Sequence, residues 1–208
     1  MKKAPEIKTA RGVKFYPPNH KRVQKLLTGD SEPEIHGDKV WFSSFFIMDY
    51  LEQNPPEPKT RILDIGCGWG ILSIYCVKKF QAKCTGVDAD KFVFPLLDLH
   101  AKLNNVNVSK KVSKYEDLKA DFLAKQQIIA GGDICFWDEL VDPLYTLIDN
   151  ALSVGVEKII IADPGRTPFL RLVRRCRKNF KGKVKVKSVE IKEPQKKDGY
   201  LLIIDNSR

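Results

Sequence analysis

The stretch from Arg61 to Gly70, Arg-Ile-Leu-Asp-Ile-Gly-Cys-Gly-Trp-Gly, constrains this chain more than any other. Ile62, Leu63 and Ile65 form the short apolar run of a buried parallel strand, interrupted by Asp64. Gly66, Gly68 and Gly70 follow at alternate positions, and Ile71, Leu72, Ile74, Tyr75 and Val77 then repeat with helical spacing. Strand, glycine turn and helix make a crossover in which missing side chains let a ligand reach the backbone, with the helix N-terminus facing it. The spacing is D-x-G-x-G-x-G, not the G-x-G-x-x-G of a dinucleotide site. A tight turn without a ligand would use the glycines for its backbone alone. A second feature weighs against that: Asp88 closes the next apolar run, Cys84-Thr85-Gly86-Val87. It lies about 20 residues after the turn, where a carboxylate can accept both hydroxyls of a ribose.

The turn resembles motif I of the class I S-adenosylmethionine (AdoMet) methyltransferases, whose glycine loop passes under the methionine part of the cofactor. That resemblance implies AdoMet as the cofactor. Asp64, Gly66, Cys67, Gly68 and Gly70 would contact it from the turn, and Asp88 with Ala89 from the end of the following strand.

Strands and helices alternate from Ile62 onward. The patterning predicts strands over Ile62–Asp64, Lys83–Val87, Lys110–Ser113, Gln127–Phe136, Lys158–Ala162, Val184–Ile191 and Tyr200–Ile204. Helices are expected over Ile71–Phe80, Lys91–Leu103, Pro143–Leu152 and Pro168–Phe180, the last with Thr167 as N-cap. No helix fits between the final two strands, so Lys192 to Gly199 should turn a hairpin. Upstream, Asn19 can cap a short helix bearing Val23, Leu26 and Leu27 and closed by Gly29. Glu32 to Asp38 reads as a loop, and Val40 to Leu51 as an aromatic-rich helix with Trp41, Phe45, Met48 and Leu51 on one stripe. The expected fold class is α/β: a Rossmann-like, mostly parallel seven-stranded sheet, helices on both faces and an antiparallel C-terminal hairpin. One domain is expected over residues 1–208, with 1–60 a helical, lid-like segment and 61–208 the AdoMet-binding core.

In open α/β sheets ligands sit beyond the carboxyl ends of the strands. The segment Gly132-Asp133-Ile134-Cys135-Phe136-Trp137-Asp138-Glu139 lies at such an end and sets a carboxylate beside aromatic rings. A lysine acceptor needs such a pairing, because the carboxylate attracts the ammonium and the rings exclude water from its methylenes. Asp133 could equally cap a turn, and the rings could be ordinary core. Asp133-Ile134-Cys135-Phe136 resembles the [DE]-x-x-[YF] motif of the seven-β-strand protein lysine methyltransferases. The longer run to Asp138, together with Asp163-Pro164-Gly165-Arg166, is similar to the lysine methyltransferases of the electron transfer flavoprotein β-subunit and their bacterial relatives. Trp41 and Tyr50-Leu51 are similar to that group's tryptophan-bearing helix. The resemblance implies that Trp41 also contacts AdoMet and that Asp133 and Phe136 face the target amine. Phe136 departs from the more common tyrosine; Glu116 and Asp117 are the candidates for the adenine. Arg166 would either pair with a carboxylate in a rigid loop or touch the substrate.

Composition narrows the partners. The net charge of +10 is uneven: residues 2–25 carry +7, residues 171–197 carry +10, and the middle is near −6. Basic flanks suit an anionic partner, either an acidic protein surface or, less favoured for want of interleaved aromatics, RNA; a merely soluble lysine-rich face is the plainer reading. The five cysteines form no C-x-x-C pair and no disulfide ladder, so reduced, buried thiols and a cytoplasmic location are expected. The basic start lacks an apolar signal core, and no apolar run approaches the length of a membrane span. Three histidines without ligand spacing suggest no metal. The resulting expectation is a monomeric AdoMet-dependent methyltransferase acting on a protein lysine. The alternatives are a small-molecule or RNA methyltransferase and a non-catalytic AdoMet-binding module.

Overall fold

The computed structural model describes residues 6–28, 37 and 39–207. The chain runs through β1 (Lys8–Ala10), β2 (Val13–Phe15), α1 (Lys21–Gln24), α2 (Ser43–Gln53), β3 (Arg61–Ile65) and α3 (Ile71–Phe80). It continues through β4 (Lys83–Asp88), α4 (Phe94–Leu103), β5 (Ser109–Val112), α5 (Ala120–Leu123), β6 (Ile128–Gly132) and α6 (Val141–Ser153). It closes with β7 (Lys158–Asp163), α7 (Thr167–Asn179), β8 (Val184–Ile191) and β9 (Lys197–Asp205). Seven strands form one sheet in the order β5-β4-β3-β6-β7-β9-β8. β3 to β7 are parallel, and β9 inserts antiparallel between β7 and β8. This is the expected Rossmann-like sheet with its C-terminal hairpin.

Alternation along the strands makes the two layers. Ile62, Ala130, Ile160 and Ile203 pack toward α2, α3 and α4, whereas Leu63, Ile129, Ile161 and Leu202 pack toward α6 and α7. Both faces of the central strands are therefore apolar, as a buried parallel sheet requires. The chain order reverses beside β3, with β4 and β5 on one side and β6 and β7 on the other, so the carboxyl end of β3 lies at the topological switch.

Several local expectations are corrected. The Gln127–Phe136 strand ends at Gly132, because Asp133 adopts φ 60° and turns the chain out of the sheet. The helix expected from Val40 starts at Ser43, leaving Trp41 and Phe42 ahead of it; Phe45, Phe46, Ile47, Met48 and Leu51 are its buried face. Arg166, not Thr167, is the N-cap of α7; Asp163 satisfies the exposed donors there, its Oδ1 accepting from the backbone N–H groups of Gly165 and Arg166 at 2.8 and 2.7 Å. His20, not Asn19, caps α1, and its Nδ1 accepts from the Arg22 backbone N–H. The Gly29 stop, and most of the Glu32–Asp38 loop, lie outside the described residues. Within the first 60 residues the β1–β2 hairpin was not expected, since strands of three residues are too short to show alternation.

Two buried rings anchor this N-terminal region to the core. His100 of α4 is fully buried, accepts the Tyr16 backbone N–H at Nε2 (3.2 Å) and stacks on Trp69 with centroids 5.1 Å apart. The Trp69 indole N–H in turn donates to the Gly37 carbonyl at 2.7 Å. All five cysteines are buried and unpaired. Among the described residues no helix is long and apolar enough to cross a membrane.

Candidate active site

Beyond the carboxyl ends of β3, β4, β5 and β6 lies a cavity of about 250 Å³. Gly66 and Gly68 of the turn line it, with Asp88 and Ala89 from the end of β4. Gly68 adopts φ 48°, and a Cβ built there would meet no protein atom within 4 Å. Its bare backbone thus fronts open space on the cavity wall, the place for a ligand rather than for packing. Asp88 stands beside it. Its Oδ2 accepts the Gly68 N–H and its Oδ1 the Asp90 N–H, both at 3.0 Å, and each oxygen keeps a lone pair for a diol. Burial raises the pKa of Asp88, and the backbone donors pull it back.

Three turn residues from the expected AdoMet set are not on this wall. Asp64 is buried behind the turn, where its Oδ2 accepts from the Ser73 hydroxyl at 2.7 Å and the Ser73 N–H at 3.1 Å. It ties the end of β3 to the first turn of α3, and burial pushes its carboxyl up to about 7. Cys67 points toward Gly86 of the neighbouring strand, its Sγ 2.9 Å from where a Cβ there would be. Gly70 is needed for packing: a Cβ there would come within 2.5 Å of Leu97 Cγ on α4. These three shape the turn instead of facing the cavity.

The opposite wall carries the acceptor candidates. Asp133 and Phe136, from the loop after β6, both line the cavity, and so does Trp41. Asp133 is tightly held: its Oδ2 accepts the Ser43 backbone N–H at 2.9 Å, and its Oδ1 lies 2.8 Å from Arg166 Nη2. Arg166 also reaches the fully buried Asp163 through Nη1 at 2.8 Å, and its guanidinium carbon sits 5.8 Å from the Trp41 ring centroid. Burial raises the Asp163 pKa, against the pull of the Arg166 contacts. One arginine therefore joins the loops after β6 and β7 to the segment entering α2. Phe136 meets Trp137 edge-on, centroids 4.7 Å apart, and Trp137 is half exposed.

Of the two adenine candidates, Glu116 lines the cavity and Asp117 does not. Sequence reasoning passed over Tyr115, which also lines the wall beyond β5 and whose phenol burial drives far above its usual pKa. Its signal was its place at a strand's carboxyl end. Lys39 and Lys114 also line the cavity, and no local pattern marked either. A flat base, a vicinal diol and a cation would find aromatic and aliphatic surface, a carboxylate and π-faces respectively in this cavity, so the residues present fit AdoMet.

The family described as Ribosomal protein L11 methyltransferase (PrmA) matches residues 46–163. The electron transfer flavoprotein beta subunit lysine methyltransferase of Mus musculus is 26% identical over 130 residues, covering 62% of this chain and 50% of that protein. A putative protein N5-glutamine methyltransferase of Methanocaldococcus jannaschii is 48% identical over 60 residues, 28% of this chain and 30% of that protein. This chain thus spans half of the mouse relative's length and less than a third of the archaeal one's. The crystal structure of a ribosomal protein L11 methylase from Lactobacillus delbrueckii subsp. bulgaricus superposes with TM-score 0.53 at 17% identity, covering 78% of each chain, and shares the fold.

Proposed function

The chain belongs to the ribosomal protein L11 methyltransferase (PrmA) family of AdoMet-dependent methyltransferases, and on that premise we propose that it methylates the side-chain amine of a protein lysine. The observation that carries this reading is the make-up of one wall: the Asp133 carboxylate lines the cavity together with the Trp41 and Phe136 rings. The carboxylate attracts an incoming ammonium, and the two rings supply apolar surface for its methylenes. AdoMet supplies an electrophilic methyl group on a sulfonium. The chain's own work is to bind, align and dry the amine: Asp88 and the Gly68 backbone hold one end of the cavity, and Asp133 orients the acceptor at the other. The lysine-methylating mouse relative supports the same acceptor. A protein substrate and a cytoplasmic site of action belong to this proposal.

A second reading, a glutamine amide, is favoured by the archaeal relative and by Arg166 compensating part of the Asp133 charge. One experiment separates the two. The protein is incubated with methyl-labelled AdoMet and host lysate, with and without nuclease, and labelled protein is hydrolysed in acid. Label recovered as methyl-lysine supports the proposal. Volatile methylamine points to the amide, and label lost to nuclease points to RNA.

A further inference from the structure

Lys39 lies two residues before Trp41, and its Nζ stands 4.1 Å from the centroid of the Trp41 ring. Both side chains line the cavity that holds Gly68 and Asp88 on one wall and Asp133 on the other. An ammonium seated on an aromatic face is attracted by the ring quadrupole while the ring covers its methylenes. A substrate lysine would need the same arrangement at this wall. Lys114 also lines the cavity, but among the described residues Lys39 is the cavity lysine held over a ring.

We propose that Lys39 is itself a methyl acceptor, modified within its own chain by AdoMet in this cavity; the inference rests on the methyltransferase reading above. A tethered amine needs no encounter step, and its effective concentration at the site exceeds that of a separate protein. Lys39 is exposed, so its ammonium can release a proton to solvent. The Nζ lone pair then forms the N–CH₃ bond as the S–CH₃ bond breaks. The electron pair of the broken bond stays on sulfur, which leaves as the neutral thioether of S-adenosylhomocysteine. The product, an N-methylated ammonium, keeps its charge and its seat on Trp41.

The test uses the full chain with AdoMet and no other acceptor. Intact-mass measurement should show a gain of about 14 Da per methyl, mapped by peptide analysis to Lys39. The rate constant should not change on about tenfold dilution of the protein, as a step within one chain requires. K39R should lose the gain. A readout without turnover accompanies it: S-adenosylhomocysteine should slow acetylation of Lys39 by an amine-reactive ester roughly fivefold, while Lys119, which is not on the cavity wall, reacts as before. A protein that binds S-adenosylhomocysteine by calorimetry, yet leaves Lys39 unmethylated or unprotected, overturns the proposal and leaves the methyltransferase reading standing. A protein that binds neither AdoMet nor S-adenosylhomocysteine overturns both.

Discussion

Arg166 Nη2 lies 2.8 Å from Asp133 Oδ1, so the loop after β7 fixes the carboxylate at the end of β6. The same guanidinium holds Asp163, whose side chain has no solvent exposure. The pair is thus both part of the acceptor wall and a fastening between two loops. Its removal should be felt in stability and in chemistry.

R166Q leaves two buried carboxylates without their counterion and should cost about 2–4 kcal/mol at pH 7. Burial already raises the pKa of Asp163, and the variant removes the guanidinium that pulls it back, so it rises further above its unfolded value. The stability of the variant is therefore greatest below the ordinary carboxylate range and is lost as pH rises through the raised value. Denaturant melts should show the deficit of the variant shrinking as pH falls from about 7 toward the ordinary carboxylate range, with R166K recovering part of it. A deficit independent of pH would mean that charge is not its cause.

D133N should lower kcat/KM on a lysine-bearing substrate roughly a hundredfold while leaving AdoMet affinity within about twofold. Its pH–rate profile should also shift, because the amine must shed a proton before attack. Calorimetry and initial rates on the same preparation decide this. Wild-type turnover would make Asp133 a purely structural group.

D88A removes the carboxylate proposed for the ribose and should weaken AdoMet binding roughly ten- to a hundredfold, about 1.5–3 kcal/mol. G68V places a branched side chain at φ 48° and into the open cavity, and should abolish binding. Titration calorimetry reads both, and unchanged affinity in the pair would refute the assignment of the turn.

Asp64 and His100 oppose each other in pH. Asp64, raised to about 7 by burial, keeps a proton in the fold that the unfolded chain has released above its ordinary value of 3.8. Its contribution to stability therefore falls as pH rises across that window. His100, lowered from 6.5 to about 4 by burial, lacks in the fold a proton that the unfolded chain holds, so its contribution rises with pH over nearly the same window. Each slope is about 1.4 kcal/mol per pH unit and they largely cancel. H100F should unmask stability that falls as pH rises from about 4.5 to 6.5, and D64N stability that rises; calorimetric melting curves that move in parallel would contradict both.

The basic face of α7 is smaller than its sequence suggests. Arg175 pairs with Asp142 and lies over the Tyr145 ring, and Arg171 pairs with Asp138 at 2.7 Å, so both are engaged by the α6 side. Arg174, Arg177 and Lys178 remain exposed. Replacing these three with glutamine should lower kcat/KM and flatten its salt dependence with kcat unchanged if they steer an acidic protein. If they bind RNA, the salt slope of RNA affinity should become shallower by about one per residue. No change in either leaves them a soluble face.

Local signals account for what was legible in the chain alone. Helix α3 occupies Ile71–Phe80 and strand β8 Val184–Ile191, as patterning predicts, because a glycine turn and apolar periodicity mark their ends within a few residues. The order of elements and the hairpin follow from the same short-range chemistry, and the cofactor class from the resemblance of the glycine turn to motif I. What only the tertiary structure decided rests on contacts between distant residues. Gly68 and Gly70 are indistinguishable as letters, yet one fronts a cavity and the other packs on Leu97 of α4. Asp64 and Asp133 are both strand-end acids, but one turns to Ser73 and the other to Arg166. The Asp133 carboxylate meets the Ser43 backbone N–H across 90 residues of sequence. A propensity reads a window of a few residues, whereas the direction of a buried side chain is set by whichever donor the folded chain brings to it, and that partner is chosen by the sheet order.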